Sequence, residues 1–371
     1  MTSSLALSFK ASNATTASMT DELAEVYSYG ELVFIGCTWT LVAVLGVVGN
    51  SLVILSVILS KLVQTSTNVL VVNLSVADLL TSLSLPWSSV VMLSDGASWP
   101  LSTEVPCQIA AFLFHTGLGA SLYNLALIAL NRLVRITRPL ATYNRIFSPC
   151  KMAWIVTFAW LVPVIVVVFP PTIGVGNLGI DTKLPSCSDD ELHPLAELYN
   201  LAQAIGFFPV PLITVIISYL AIYMYIRGHF KQLSTITNGD NPTPHPNSTE
   251  VPGEASDRAS REEEYRSGRS QHRISQQQLT ITKNLFVIFV TFMLCISPYF
   301  LSLFVPTSKR FTLYFATILI LNSCVNPILY GAKHPQFRKV FRPMLRCRWE
   351  RIPQPSEALK AMLARRQENN A

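Results

Sequence analysis

Seven stretches of this chain run for about the thickness of a bilayer, and in all seven together there is a single acidic or basic side chain. They are Leu32–Ser60, Leu62–Ala77 continued by Leu79–Ser94, Val105–Leu130, Met152–Ile180, Leu198–Ile226, Asn284–Ser308 and Phe311–Ala332. A helix needs about 20 apolar residues to cross the hydrocarbon core. A buried helix of a soluble protein can imitate one or two such runs, but seven in one chain point to lipid as the solvent. Composition agrees: 13% of the 371 residues are charged and 50% are hydrophobic, whereas a soluble domain carries about 25% charged residues. The expected fold is all-α, a seven-transmembrane helix bundle.

Basic residues set the orientation. With the N-terminus outside, the outer segments hold only Lys10, Lys183, Lys309 and Arg310 of the 28 Lys and Arg, and the rest face the cytoplasm. Those outer segments are instead acidic, through Asp21, Glu22, Glu25, Glu31, Asp95, Asp181, Asp189, Asp190, Glu191 and Glu197. The net charge of +6 is then an orientation signal and no footprint of nucleic acid. The opening MTSSLALSFK lacks the basic start and apolar core of a cleavable signal, so the first span is expected to carry the N-terminus across. Asn13 opens a glycosylation acceptor, Asn13-Ala14-Thr15, on the expected outer side. Asn73-Leu74-Ser75, in a helix, and Asn247-Ser248-Thr249, in the cytoplasm, read as chance matches.

The chain divides into an extracellular segment (1–30), a seven-helix domain (31–346) and a cytoplasmic tail (347–371). Within the domain, residues 227–279 form a long third cytoplasmic loop rich in Pro, Ser and charge, which cannot bury enough apolar surface to fold. From residue 350 the tail also reads as disordered. In "HPQFRKVFRPML", Phe337, Val340, Phe341 and Met344 recur at helical spacing between Arg338, Lys339 and Arg342. This is a short amphipathic eighth helix, begun by Pro335 and weakened by Pro343; a plain basic anchor is the alternative. Cys347 behind it is a candidate palmitoylation site. Of the 7 cysteines, only Cys107 and Cys187 fall at outer, oxidising positions, where a bridge would staple the loop after the fourth span over the bundle mouth; two free thiols are the alternative.

Asp78 is the one acid inside the spans. A lone carboxylate there costs at least ~2.5 kcal/mol and demands partners. Asn50, Ser121, Asn124, Asn322, Ser323 and Asn326 lie at compatible depth, an oxygen-rich set able to hold a hydrated Na⁺ against Asp78. A protonated Asp in a hydrogen-bond network is the other reading. From Cys107 to Arg132 the helix rises about 37 Å, which places Arg132 at the inner mouth and Arg135 and Arg138 among lipid headgroups.

Gly49-Asn50, "NLSVADLL", Trp99 ahead of Cys107, Asn131-Arg132, Trp160, Pro211 with Tyr219, "CISP" at 295–298 and "NSCVNPILY" at 322–330 occur in order, one signature per span. Over about residues 32–346 the chain resembles the rhodopsin-like (class A) G-protein-coupled receptors. "NRLVRITRPLATYNRIFSP" makes it most similar to the melatonin-receptor-like and insect trehalose-receptor-like orphan group. The resemblance implies a plasma-membrane receptor that signals through a heterotrimeric G protein, with arrestin and kinases as further partners. Arg132, Tyr219 and Tyr330 would rearrange on activation while the sixth helix swings about a kink at Pro298. Ser267, Ser270 and Ser275 lie beside arginines in the long loop as phosphorylation candidates.

Three departures matter. Most relatives place an acid before the arginine; Asn131 offers only a neutral hydrogen bond, about half as strong. The inner end of the sixth helix reads "QQQLTITK", so Gln278 and Thr282 supply no second acid. Together these predict a weakly locked receptor with basal activity. Ile296 replaces the family's tryptophan, so Phe292, Tyr299 and Phe300 are expected to share the pivot beneath the ligand.

The expected ligand pocket is lined by Phe114, His115, Leu118, Gln203, Phe207, Ile296, Tyr299, Phe300, Leu303, Thr312, Ala316 and Ile320. Amine receptors have an Asp where Phe114 stands and opsins a Lys where Ile320 stands, so the resemblance argues against an amine or retinal, and Ile296 argues against melatonin itself. A mostly apolar pocket with His115 and Gln203 as polar contacts suits a small neutral or lipid-like ligand; His115 is equally readable as a packed helix residue. The competing reading is a seven-helix transporter or channel, which would show several intramembrane charges or interrupted helices. No metal set, nucleotide loop or nucleophile motif supports an enzyme.

Overall fold

The computed structural model describes residues 26–94, 103–181, 184–239, 286–299, 301–302 and 309–368. Asn13, Trp99, Phe300, Leu303, Ser267, Ser270 and Ser275 lie outside the described residues, as do Gln278 and Thr282.

Helix α1 (Tyr29–Leu59) opens with a capping box. Ser28 accepts from the Glu31 backbone N–H, and the Glu31 carboxylate accepts from the Ser28 N–H in return, so two orphan donors of the first turn are satisfied. Helix α2 (Ser66–Leu93) starts at Thr65, whose hydroxyl accepts from Asn68 N–H. Helix α3 (Val105–Thr137) is the central post: 72% of its most apolar window is buried, against 22% for α5 (Pro149–Thr172) and 33% for α1. A short α4 (Leu140–Ile146) links α3 to α5. The outward faces, with Phe34, Leu41, Val44, Trp154, Phe158, Leu161 and Phe169 all exposed, form far more apolar surface than water tolerates.

Two of the uncharged runs are not single helices. Met152–Ile180 outlasts α5, which ends at Thr172; its last residues are β1 (Leu178–Asp181), paired antiparallel with β2 (Ser186–Asp189) in the register Ile180 to Cys187. The uncharged loop and the first three residues of this strand prolong the run without prolonging the helix. Leu198–Ile226 is built from α6 (Ala196–Phe207) and α7 (Pro209–Gly239) with a break at Phe208. Pro209 has no N–H to carry the ladder across, so Phe208 bonds back to Ala204 and Leu212 to Phe208 around it.

The sixth run is described as the apolar helix α8 (Phe286–Tyr299). Helix α9 (Lys309–Lys333) carries Pro327. Six helical spans are long and apolar enough to cross a membrane, and α8 is a shorter apolar one among the described residues. Helix α10 (Pro335–Leu345) buries Phe337, Val340, Phe341 and Met344 and continues through Pro343, so the eighth helix is present and its proline does not stop it.

The tail is ordered where the sequence reads as disordered. A 3-10 turn (Trp349–Arg351) leads into α11 (Glu357–Glu368), and the segment between them clips onto the end of α1. Lys61 N–H donates to Gln354 O at 2.8 Å, Ser356 N–H to Leu59 O at 2.9 Å, and Ser60 Oγ to Pro353 O at 2.6 Å. Leu359 is fully buried. A disordered tail lacks apolar area to bury; here α1 and α10 supply the surface that the tail's own composition lacks.

Helices meet in lipid through small residues and side-chain hydrogen bonds, since hydrocarbon gives no hydrophobic drive between them. A Cβ on Gly49 would lie 2.9 Å from Pro327, and one on Gly119 would lie 2.8 Å from the Phe207 ring and 2.9 Å from Pro163. Asn73 donates to Asn124 Oδ1 at 2.6 Å and accepts from Trp160 Nε1 at 2.8 Å, tying α2, α3 and α5. Trp39 Nε1 donates to Thr317 between α1 and α9.

Candidate functional site

At one end of the bundle, Cys107 of α3 and Cys187 of β2 form a disulfide, and Cys187 N–H donates to Ser88 Oγ of α2 at 3.1 Å. The hairpin is thereby drawn down between the helices. Two residues on, Asp189 enters the bundle. Its Oδ1 accepts from Gln203 Nε2 at 3.0 Å, and its Oδ2 lies 3.5 Å from His115 Nε2. His115 Nδ1 faces Ala111 O at 2.9 Å. A carbonyl only accepts, so Nδ1 donates there, and a favourable Nε2–Oδ2 contact requires one further proton on the ring or on the carboxyl. Burial raises the Asp189 carboxyl above its ordinary value, with His115 and then Gln203 opposing that shift. His115 and Gln203 thus come together as the sequence predicts, but through Asp189, which sequence reasoning had set among the outer acids.

Phe114, Tyr299 and Ala316, with Ser186, Cys187 and Leu184, line a cavity of about 30 Å³ under the hairpin, room for roughly one water. Leu118, Phe207 and Ile296 pack below it in the main core with Phe292, while Ile320 and Ala316 join a second cluster with Trp39 and Leu313. Thr312 is buried. The described residues of the expected pocket are therefore brought to one end, split between a small lined space and the packed layer beneath it.

Mid-bundle, Asp78 joins three helices. Its Oδ1 accepts from Ser121 Oγ at 2.7 Å and its Oδ2 from Asn326 Nδ2 at 2.7 Å. Asn50 Nδ2 donates to the carbonyls of Gly46 and Ser323, and its Oδ1 is buried with no hydrogen-bond partner. Asn124 belongs to the neighbouring set with Asn73 and Trp160 rather than to Asp78. Asn322 is buried; Ser323 contributes its carbonyl. Asn73, which opens the chance Asn-Leu-Ser match in this helix, is an interhelical amide.

At the opposite end Arg132 is 4% exposed. Asn131 beside it accepts from Thr67 Oγ1 at 2.8 Å and donates to Tyr143 OH at 3.2 Å. Arg135 lies over the Tyr143 ring, 4.8 Å from its centre. Tyr219 packs on Phe286 and Phe289 of α8, and Tyr330 on Phe337 of α10. Arg132, Arg135, Asn68, Asn144, His334 and Gln336 help to line a cavity of about 350 Å³ that opens at this end.

The family described as "7 transmembrane receptor (rhodopsin family)" matches residues 49–330. The chain belongs to this family. The receptor is 27% identical over 312 residues to melatonin receptor type 1A of Mus musculus, covering 81% of this chain and 77% of that one. It is 28% identical over 315 residues to melatonin receptor type 1B of Rattus norvegicus, covering 81% and 75%. Its fold matches squid rhodopsin with a TM-score of 0.67 at 21% identity, over 86% of this chain and 88% of that one. The receptor is thus a melatonin-receptor-like class A member, a multi-pass membrane protein and not an enzyme, and the transporter reading finds no support. Class A membership implies a heterotrimeric G protein and an extracellular ligand as partners.

Proposed function

We propose that the receptor takes a small neutral or lipid-like ligand at its disulfide end, lying outside the cell, and passes that occupancy to a G protein meeting Arg132 at the cytoplasmic end. The observation that carries this reading is the polar column through the bundle. His115, Asp189 and Gln203 lie at one end, Asp78 with Ser121 and Asn326 in the middle, and Arg132 at the other. Helices bonded through one carboxylate cannot shift singly, so displacement near the ligand is felt at the arginine. Phe114, Tyr299 and Ala316 favour an apolar ligand with one polar contact to the His115–Asp189–Gln203 set. Retention of Ile296 in the packed layer supports a ligand other than melatonin.

A sodium ion fits the middle of the column. The Asp78 carboxylate, Ser121 Oγ and the unpartnered Oδ1 of Asn50 are hard oxygen donors of the kind such a cation takes. When bound it supplies a positive charge against Asp78; the residues themselves hold α2, α3 and α9 in register. Cys347, exposed just after α10, suits a palmitate that pins the eighth helix to the membrane.

The resting state is weakly locked, because Asn131 accepts from Thr67, donates to Tyr143 and carries no charge for Arg132. Nucleotide exchange measured on a panel of G proteins, with receptor in lipid nanodiscs, tests both claims. Wild type drives exchange above receptor-free discs, Arg132→Ala removes it, and Asn131→Asp lowers the basal rate. Folded receptor that drives no exchange on any member of the panel, with or without a metabolite and lipid library, defeats the reading.

A further inference from the structure

The cavity at the arginine end has an unusual charge balance. Two guanidinium groups, of Arg132 and Arg135, line it together with amides of Asn68, Asn144 and Gln336, and its described lining contains no carboxylate. Asn131, beside Arg132, is a neutral amide that bonds to Thr67 and Tyr143. The Nδ1 atom of His334, a residue 3% exposed and also lining the cavity, has no hydrogen-bond partner. A buried ring nitrogen without a partner is unfavourable unless something fills the place.

We infer that this cavity is a binding site for a small phosphate-bearing anion, held by Arg132, Arg135 and His334. Its volume of about 350 Å³ is that of a small-molecule site. Arginine forks match phosphate oxygens in pairs. Burial, and then the charge of Arg132, lower the His334 imidazole to about 4, so at neutral pH the ring is uncharged and offers one N–H. That donor, two cations and the neighbouring amides face the same space, a donor set that suits an oxyanion. An occupied site sequesters the arginine that the proposed function assigns to the G protein, so the anion holds down basal exchange. The same chemistry has two sources, a free phosphate or a lipid headgroup, and the cavity's open mouth admits either.

Binding is read without any G protein, which separates this inference from the proposed coupling. Full-length receptor in phosphatidylcholine nanodiscs is titrated with inorganic phosphate and with inositol trisphosphate while its melting temperature is followed. Parallel discs contain phosphatidylinositol bisphosphate or a charge-matched amount of phosphatidylserine. The expected result is a saturable rise in melting temperature with one phosphate source. Its midpoint weakens about tenfold or more in Arg135→Gln and in His334→Gln, as loss of one charge-assisted or buried hydrogen bond requires. A rise with soluble phosphate in phosphatidylcholine discs identifies a free anion. A rise confined to bisphosphate discs, beyond phosphatidylserine, identifies the headgroup. No saturable shift from either source, or midpoints unchanged in both variants, overturns the inference and leaves a cavity filled by water.

Discussion

Replacing Asp189 by alanine removes the acceptor that His115 and Gln203 share. Both partners are buried, at 7% and 6% exposure, so neither recovers full hydration. An unsatisfied buried polar group costs about 1–3 kcal/mol. Two such groups, partly relieved by one admitted water, give about 2–4 kcal/mol. For a chain of this length each kcal/mol moves the midpoint by roughly 2 °C, so Asp189→Ala should melt about 4–8 °C below wild type. Asp189→Asn is the control. Its amide oxygen still accepts from Gln203 and its amide nitrogen can donate to a neutral His115 Nε2, so the loss should stay under about 1 kcal/mol. The disulfide at Cys187 remains in both variants and keeps the hairpin seated. The assay is thermal unfolding of purified receptor, completed by His115→Ala and the double variant. Coupled groups give an interaction energy of about 0.5–3 kcal/mol, whereas independent ones add within about 0.5 kcal/mol. Strict additivity, or an alanine variant as stable as wild type, would refute the shared-acceptor account.

Three further outcomes follow from the same contacts. His334 is lowered from its ordinary 6.5 to about 4; its contribution to stability is full above pH 6.5 and is lost as pH falls toward about 4. His334→Gln should flatten that part of the melting-temperature profile, by about 3 kcal/mol at most. Gly119→Ala forces a methyl against Phe207 and Pro163 and should cost about 1–3 kcal/mol, read as a lower melting temperature. Leu359→Asp should free α11, and limited trypsin digestion should then cut at Arg348 and Arg351 faster than in wild type; equal rates would mean that the buried leucine does not hold the tail. Lys61 and Glu357, though 2.6 Å apart, are too exposed to hold it alone.

The apolar runs, the order of the spans and the amphipathic α10 were legible because each is a local, periodic property of the chain. So was the disulfide, since few cysteines fall outside the hydrocarbon. The partners of Asp78 were half legible. Depth along a helix can be counted, and it brought Ser121 and Asn326 to the carboxylate, but rotation about the axis cannot, and Asn124 turns instead to Asn73. Asp189 was placed in its outer loop but given no role there, because a loop has no period, and only the strand register across from Leu178 carries it to His115 and Gln203. The break at Phe208 had a signal in Pro209. The tail had none: its order depends on Ser60 and Lys61, almost 300 residues earlier.

That clip has a consequence for the chemistry open to the tail. Across residues 331–371 the one hydroxyl side chain is Ser356. It is 5% exposed, its N–H is bonded to Leu59, and its Oγ accepts from Leu359 N–H at the start of α11. Any enzyme that modifies hydroxyls would find no free acceptor on this stretch until the strap let go of α1, so Ser356 is chemically silent for as long as the tail stays seated.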